Sequence, residues 1–573
     1  MHATTRLFRR TLLSSLLAVA GASLVACGGG GGSSTSTSAT PTGTVNVAVT
    51  DGPGDDYSHV WVTIKAIAFH TDPNAEWSAT DASWQTITLG TPQTIDLTTL
   101  NNGGLNSMFQ NMNLPAGTYR QIRFFLVGAE TNLLSEAQGK QDSTGADLQW
   151  NDQVEYVKNG STLEAPLEIA YPTQGIQLDG TFTVTAGSAL NLAVDFDLEH
   201  SVVPFRHNSL TFFTLKPVMR YYDLNASGAI TGQLDPSTFC TGSVTSTCTY
   251  NLVVKAETLT ADGGRHYDVH ATTVHADGSF SIYPLAATDA SGQPAHYDVL
   301  IRGRQMVTKL ITGVPVTAGS TPLNNPTRLQ SSGNIALTAS SAEYTAQLAT
   351  PLAPLTSGET MFQQTLPGTG AVPYEVRWGL TDPYTGTLLS PMPLENGGIE
   401  LAAYNAGSAL SFSSVTPAEG TGNYSVSVNE ALIDYFTRSA DTQVNAVATG
   451  SATTFTPGTP TLDSGVSSGT VSGTIAVTNS GGYDKATLVI AHLGTIATTL
   501  DISSQLGNAS IPFNLGNLPA GSSASPQPGA YYYAYVRLWK STDVVAKKVV
   551  IVPFVGFIDL RTTNTATFNL TLP

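Results

Sequence analysis

Two short stretches gather the side chains best suited to chemistry. Asp195, Asp197 and Glu199 alternate with Val194, Phe196 and Leu198, a period of two that puts carboxylates on one face of an expected strand and apolar groups on the other. His266, Asp268 and His270 alternate in the same way. Two imidazoles and a carboxylate on one face suit a transition metal, and the acidic triplet suits calcium, with Asp51, Asp55 and Asp56 as further oxygen donors. Calcium takes about six to eight oxygens from several loops, so one strand supplies too few. Each face is therefore read as polar and balanced by cations or solvent, and no cofactor is expected. His296-Tyr297-Asp298-Val299 repeats His266-Tyr267-Asp268-Val269 and would bring a second imidazole and carboxylate near the first pair.

Tyr531, Tyr533, Tyr535 and Trp539 share one strand face, with Arg537 among them. Exposed, they would form a platform for stacking sugar rings. Buried, they are core, opposite Tyr532, Val536 and Leu538. The core reading is adopted, because aromatic residues form strands and dominate cores. Trp77 and Trp84, in the polar stretch Thr71 to Gln85, are expected to be partly exposed. Gly465-Val466-Ser467-Ser468-Gly469 has the spacing of a nucleophile elbow, but an elbow joins a strand to a helix in an α/β sheet. Here it lies in a Ser/Gly stretch, and His492 is the sole histidine after it. No catalytic residue is assigned, and the chain is not expected to be an enzyme.

The elements that must hold these residues are strands. In 573 residues, charged side chains are 12% and hydrophobic ones 41%, with 54 Gly and 31 Pro. That suits short strands joined by turns, as in Thr44 to Val49, a break at Asp51-Gly52-Pro53-Gly54, and Val60 to Ile64. Glu430 to Arg438, with Asn429 as N-cap, is the clearest helix candidate. Val549 to Ile558 reads as a buried strand. Leu114-Pro115-Ala116-Gly117-Thr118-Tyr119, leading into Ile122-Arg123, recurs as Leu518-Pro519-Ala520-Gly521 followed after an insertion by Tyr535-Val536-Arg537. Ser227-Gly228-Ala229-Ile230-Thr231-Gly232 recurs as Ser468 to Gly473. The fold class is all-β: tandem antiparallel β-sandwiches. A net charge of −17 with no basic block beyond the N-terminus excludes nucleic acid as the expected partner.

Arg6, Arg9 and Arg10 precede the uncharged run Thr11 to Ala26, which at 16 residues is short for a bilayer span. The run ends in Leu24-Val25-Ala26-Cys27, which resembles a bacterial lipobox. The resemblance implies a signal peptide over 1–26, cleavage before Cys27 and acylation of Cys27. Gly28, where sorting patterns place aspartate for inner-membrane retention, implies the outer membrane. Residues 27–42 then form a Gly/Ser/Thr tether with a reach of about 20–25 Å. In an exported chain Cys240 and Cys248, with seven residues between them, are expected to form a disulfide.

Residues 43–223 resemble the bacterial lipoprotein family called domain of unknown function 4382. The matching pieces are Val49-Thr50-Asp51-Gly52-Pro53, Ile95-Asp96-Leu97, Leu114 to Arg123, Gly175 to Leu178, Val194 to Asp197 and Leu215-Lys216-Pro217-Val218. The resemblance implies an envelope β-sandwich and no known activity. Residues 224–350 are similar to a carboxypeptidase-regulatory-like, prealbumin-type sandwich, through Gly228 to Gly232, Ala276-Asp277-Gly278-Ser279-Phe280, Tyr297-Asp298-Val299 and Gly313 to Val316. Two further sandwiches are expected at 351–460 and 466–573. The functional expectation is a non-catalytic lipoprotein held to the outer membrane, with an unidentified protein or glycan partner. The alternative is carbohydrate binding through the aromatic strand face.

Overall fold

The computed structural model describes residues 40–573 except 55–56, 130, 159–160, 170–172, 208–209, 217, 240–251, 261–262, 304–305, 341–344, 349–358, 368–370, 381–387, 389–397, 430–435, 438–441, 446–451, 456–460, 463, 493–494, 543–549 and 573. Cys27, Cys240 and Cys248 lie outside the described residues, as does most of the expected Glu430–Arg438 helix. Phe436–Thr437, inside that stretch, is strand and pairs with Thr461–Leu462. The described chain is nearly all β, in several separate sheets, and Pro41–Pro573 is one compact unit. No described helix is long and apolar enough to cross a membrane.

Alternation builds the first module. Thr42–Thr50 turns Val45, Val47 and Val49 inward. It pairs in parallel with Ala189–Asp195 and antiparallel with Asn106–Pro115, and Arg220–Asp223 completes this four-stranded sheet. Across the core lies an eight-stranded sheet built around the long strand Tyr57–His70. The register sets Thr50 beside Asp195 and Asp195 beside Arg220, so this sheet ends in charges.

In the second module, Ser227–Gln233 pairs with Ser279–Ala286 and Thr327–Arg328. The opposing sheet runs His266–Thr273, Val253–Leu259, His296–Gly303, Met306–Pro315, Ile399–Ala403 and Ser413–Val415. Its last two strands come from the stretch read as a third sandwich. In that stretch Glu359–Thr365 lies between Pro373–Leu380 and Asn423–Asn429. The fourth module opposes a three-stranded sheet around Ser467–Val477 to a sheet around Lys485–His492 and Tyr531–Trp539. Val550–Pro553 is a half-buried strand of this sheet. The chain then turns through Gly556 at φ 126°, with Val555 90% exposed, so the apolar run from Val549 to Ile558 is not one buried strand.

Both sequence repeats have a physical basis. Gly232 faces Phe280 across an antiparallel pair, and Gly473 faces Phe513 in the same way. A Cβ on Gly232 would lie 2.3 Å from the Phe280 ring, and one on Gly473 would lie 1.7 Å from the Phe568 carbonyl and 2.9 Å from the Phe513 ring. Each repeat also carries a register shift, between Gly228 and Ile230 and between Gly469 and Val471. In the Leu-Pro-Ala-Gly repeat a tyrosine ties the strand back: Tyr119 Oη donates to the Pro115 carbonyl at 3.0 Å, and Tyr532 Oη to the Pro519 carbonyl at 2.6 Å. The tyrosine that makes the tie is thus Tyr532, which faces the core, and not Tyr535 as the sequence suggested, whose hydroxyl goes to Glu168.

Candidate functional site

The two groups of titratable residues meet. Ala189–Asp195 stops at Asp195 because Asp197 takes a left-handed conformation (φ 44°), which aspartate tolerates better than most residues. The turn is capped by carboxylates: Asp195 Oδ1 accepts from the Asp197 amide at 3.3 Å and Asp51 Oδ1 from the Leu198 amide at 3.1 Å. Glu199 and His200 then lie on the short helix Leu198–Ser201, so Asp195, Asp197 and Glu199 do not share a strand face. His266, Asp268 and His270 do share a strand, His266–Thr273, with Val269 between them in the core of the second module.

His270 Nδ1 lies 2.9 Å from Asp195 Oδ2, and His270 Nε2 is buried with no hydrogen-bond partner. Asp197 divides its oxygens: Oδ1 is 2.7 Å from His200 Nδ1, and Oδ2 accepts from Arg220 Nη1 at 2.8 Å. Asp268 divides its own in the same way, with Oδ1 3.6 Å from His200 Nε2 and Oδ2 3.3 Å from Lys255 Nζ. Lys255, fully buried, also lies 2.6 Å from Glu199, whose other oxygen is 3.2 Å from Arg302 Nη2. Glu375 of the third stretch completes the cluster, 3.0 Å from His200 Nε2 and 3.2 Å from Arg265 Nη1. His266 stands at its edge, stacked on Tyr374 at 3.9 Å and 3.6 Å from Asp298; of the second sequence pair Asp298 alone comes close, since His296 is exposed with Nδ1 3.1 Å from the Pro294 carbonyl oxygen.

Burial and charge set the protonation states together. Burial opposes a charge on His200, yet Asp197, Asp268 and Glu375 raise its pKa well above the ordinary value. Burial would raise Asp268, but Lys255, His200 and Arg220 hold it below the usual carboxylate range. Burial lifts Glu199 to about 7 against the pull of Lys255 and Arg302. Asp51 and Glu257, both buried and facing other carboxyl groups, are raised well above the ordinary range. Both Glu257 oxygens are buried with no hydrogen-bond partner, so no hydrogen bond offsets the burial that disfavours its charge. Beside Asp197 and Asp268 is a cavity of about 10 Å³, the size of one water or ion, lined also by Asp195, Glu199, Arg220 and His270.

Comparison with known proteins bears on the first module. Residues 42–217 match the family described as Domain of unknown function (DUF4382). The match ends just before Arg220, so it holds Asp51, Asp195, Asp197, Glu199 and His200, while Arg220, Lys255, Asp268, His270, Arg302 and Glu375 lie beyond it. No curated protein matches the chain. Among solved structures, the Bacillus anthracis TIE protein is 10% identical over 94% of this chain and 76% of its own, with a TM-score of 0.14. The shaft pilin SpaA of Lactobacillus rhamnosus GG is 11% identical over 41% of this chain and 98% of its own, also at 0.14. The Corynebacterium diphtheriae major pilin SpaA is 10% identical over 72% of this chain and 99% of its own, at 0.13. Overlaps this loose do not establish a shared fold.

The aromatic strand face lies inside the molecule. Tyr533, Tyr535 and Trp539 are buried and Tyr531 is half-buried. Tyr535 Oη donates to Glu168 of the first module at 2.5 Å, and Arg537 pairs with the same carboxylate. The face is thus a joint between the fourth module and the first. Trp84, expected to be partly exposed, is buried against Trp77, His70 and Phe125, with the Arg123 guanidinium 5.3 Å from its ring centre. Ser467 opens a strand paired with Ala520, and His492 Nδ1 lies 2.7 Å from the Tyr531 carbonyl oxygen, so the elbow-like spacing builds no elbow. Sequence reasoning missed His200, Arg220, Lys255, Arg302 and Glu375. Lys255 carried a signal, being a lysine inside an otherwise apolar strand start.

Proposed function

We propose that this chain is a non-catalytic envelope lipoprotein, anchored through Cys27 to the outer membrane, whose β-modules form a rigid scaffold that presents a surface to a protein partner. The observation that carries the reading is the use made of the reactive side chains. The carboxylates and imidazoles that could serve acid–base chemistry are paired with cations from neighbouring modules and buried between them. Such groups fix one arrangement of the modules, because breaking a buried pair leaves a charge out of water. The aromatic face is likewise spent on a joint, which removes the motive for a sugar-stacking role. Anchoring rests on the Arg-rich start, the short apolar run, Cys27 and the tether.

The test is metabolic labelling of the full chain with a radioactive fatty acid, followed by membrane fractionation. The wild type is expected to carry label and to sediment with the outer membrane. The Cys27→Ala chain is expected to lose both. Label retained by Cys27→Ala, or an unlabelled wild type, would overturn the anchor. Turnover of any substrate that is lost on substituting one named acid, base or nucleophile would overturn the non-catalytic reading.

A further inference from the structure

The geometry points to a binding site for one divalent transition-metal cation at Asp197, His200 and Asp268, with His270 as a fourth donor across the adjoining cavity. One donor atom each from Asp197, His200 and Asp268 lies within 4.8 Å of the others, the spread a single ion can bridge. The carboxylates are already oriented for this. Arg220 holds Oδ2 of Asp197 and Lys255 lies nearest Oδ2 of Asp268, which leaves Oδ1 of Asp197 on the Nδ1 side of His200 and Oδ1 of Asp268 on its Nε2 side, so that a turn of the ring brings one nitrogen between them. Oδ1 of Asp268 has no hydrogen-bond partner although the residue is 4% exposed. An ion would displace the contact of one His200 nitrogen, with Asp197 at 2.7 Å or with Glu375 at 3.0 Å, together with the proton on that nitrogen.

His270 supplies an independent observation. It is 3% exposed, it lines the cavity, and its Nε2 has no partner. Its Nδ1 faces the Asp195 carboxylate at 2.9 Å, so a proton on Nδ1 is held there and Nε2 is the nitrogen free to take a metal. A carboxylate behind an imidazole is how proteins orient a metal-binding histidine.

The cluster is also rich in carboxyl groups. The first module brings Asp51, Asp195, Asp197 and Glu199, the second Glu257 and Asp268, and the third stretch Glu375. Against these stand the fixed charges of Arg220, Lys255, Arg265 and Arg302. An ion bound to His200 takes the place of its ring proton, so the cluster gains one positive charge on binding and not two. Two imidazoles and two carboxylates suit zinc or manganese better than calcium, which prefers an all-oxygen shell.

The test uses the full chain, purified in detergent without a polyhistidine tag, stripped with chelator and titrated calorimetrically with ZnCl2, MnCl2 and CaCl2. One equivalent of Zn2+ or Mn2+ is expected to bind, with Tm rising by about 2 °C at a hundredfold excess over Kd. Asp268→Asn and His270→Gln are expected to weaken binding at least about tenfold, while His266→Gln, on the same strand but outside the cavity, binds as the wild type does. Metal analysis of the untreated wild type needs no variant and is expected to find near-stoichiometric metal. No stoichiometric binding, tighter binding of Ca2+ than of Zn2+ and Mn2+, or binding unchanged in both Asp268→Asn and His270→Gln would overturn the site.

Discussion

Glu164 and Asp142 show how a pair of carboxyl groups can share one proton. Burial, and a hydrogen bond from its carboxyl to Asp142, raise Glu164 to about 7. Asp142 is lowered to about 2: burial pushes it up, but hydrogen bonds from Glu164, Thr144 and Ala146 outweigh that. For Glu164 the folded value lies above the unfolded one, so its contribution is complete below about pH 4.5 and is lost as pH rises through about 7. Asp142 contributes with the opposite sign: its share is present above about pH 3.8 and is lost as pH falls through about 2. Glu164→Gln keeps a donor for Asp142 that does not titrate. Relative to wild type the variant is expected to gain about 1 kcal/mol in denaturant melts between pH 5 and pH 8, a figure discounted because solvent screens the half-exposed Glu164. A pH-independent difference would rule out the shared proton. The same scale shows what sequence could resolve. Period-two alternation placed His266, Asp268 and His270 on one face. It failed at Asp197, because Val194, Phe196 and Leu198 are buried whether or not the strand continues. His200 and Glu375 are 175 residues apart, and no local pattern encodes such a contact.

At the scale of the element, the glycine-led strands carry a prediction that composition alone would not suggest. Ser467–Val477 is flanked on both sides, antiparallel by Ser510–Ala520 and in parallel by Thr565–Leu572. A methyl group at Gly473 would strike the Phe568 carbonyl, which is backbone and cannot rotate away. Gly473→Ala is therefore expected to cost about 1–3 kcal/mol in chemical denaturation followed by tryptophan fluorescence. Gly516→Ala, where the nearest atom is Thr470 Oγ1 at 4.0 Å, is expected to stay within about 0.5 kcal/mol of wild type. Equal effects of the two would mean that the close approach at Gly473 is not what demands glycine there. The turns and strands around these glycines were legible, since alternation and turn residues act locally. Which sheet each strand joins was not: Ile399–Ala403 pairs in parallel with Met306–Pro315 across a long stretch of intervening chain.

For the whole molecule, charge that an isolated module would solvate has become the material of its joints. One such joint is the His200, Asp268 and Glu375 cluster; another is Glu168 with Tyr535 and Arg537. Buried pairs are little screened by salt, so the body should melt as one unit with little dependence on ionic strength. Glu168→Ala removes the carboxylate facing buried Arg537 and is expected to cost about 3–5 kcal/mol. Because that cost falls on the joint, the calorimetric transition should split, the fourth module melting first and the emission of Trp539 shifting red as its face opens. Glu168→Leu combined with Arg537→Met replaces the pair by apolar groups and removes both desolvation costs, so the single transition should largely return. If Glu168→Ala instead melts as one transition at the wild-type Tm, the joint does not depend on this carboxylate. The burial of Tyr533, Tyr535 and Trp539 would then have to be held by apolar contact with the first module, and rigidity of the scaffold would follow from shape rather than charge.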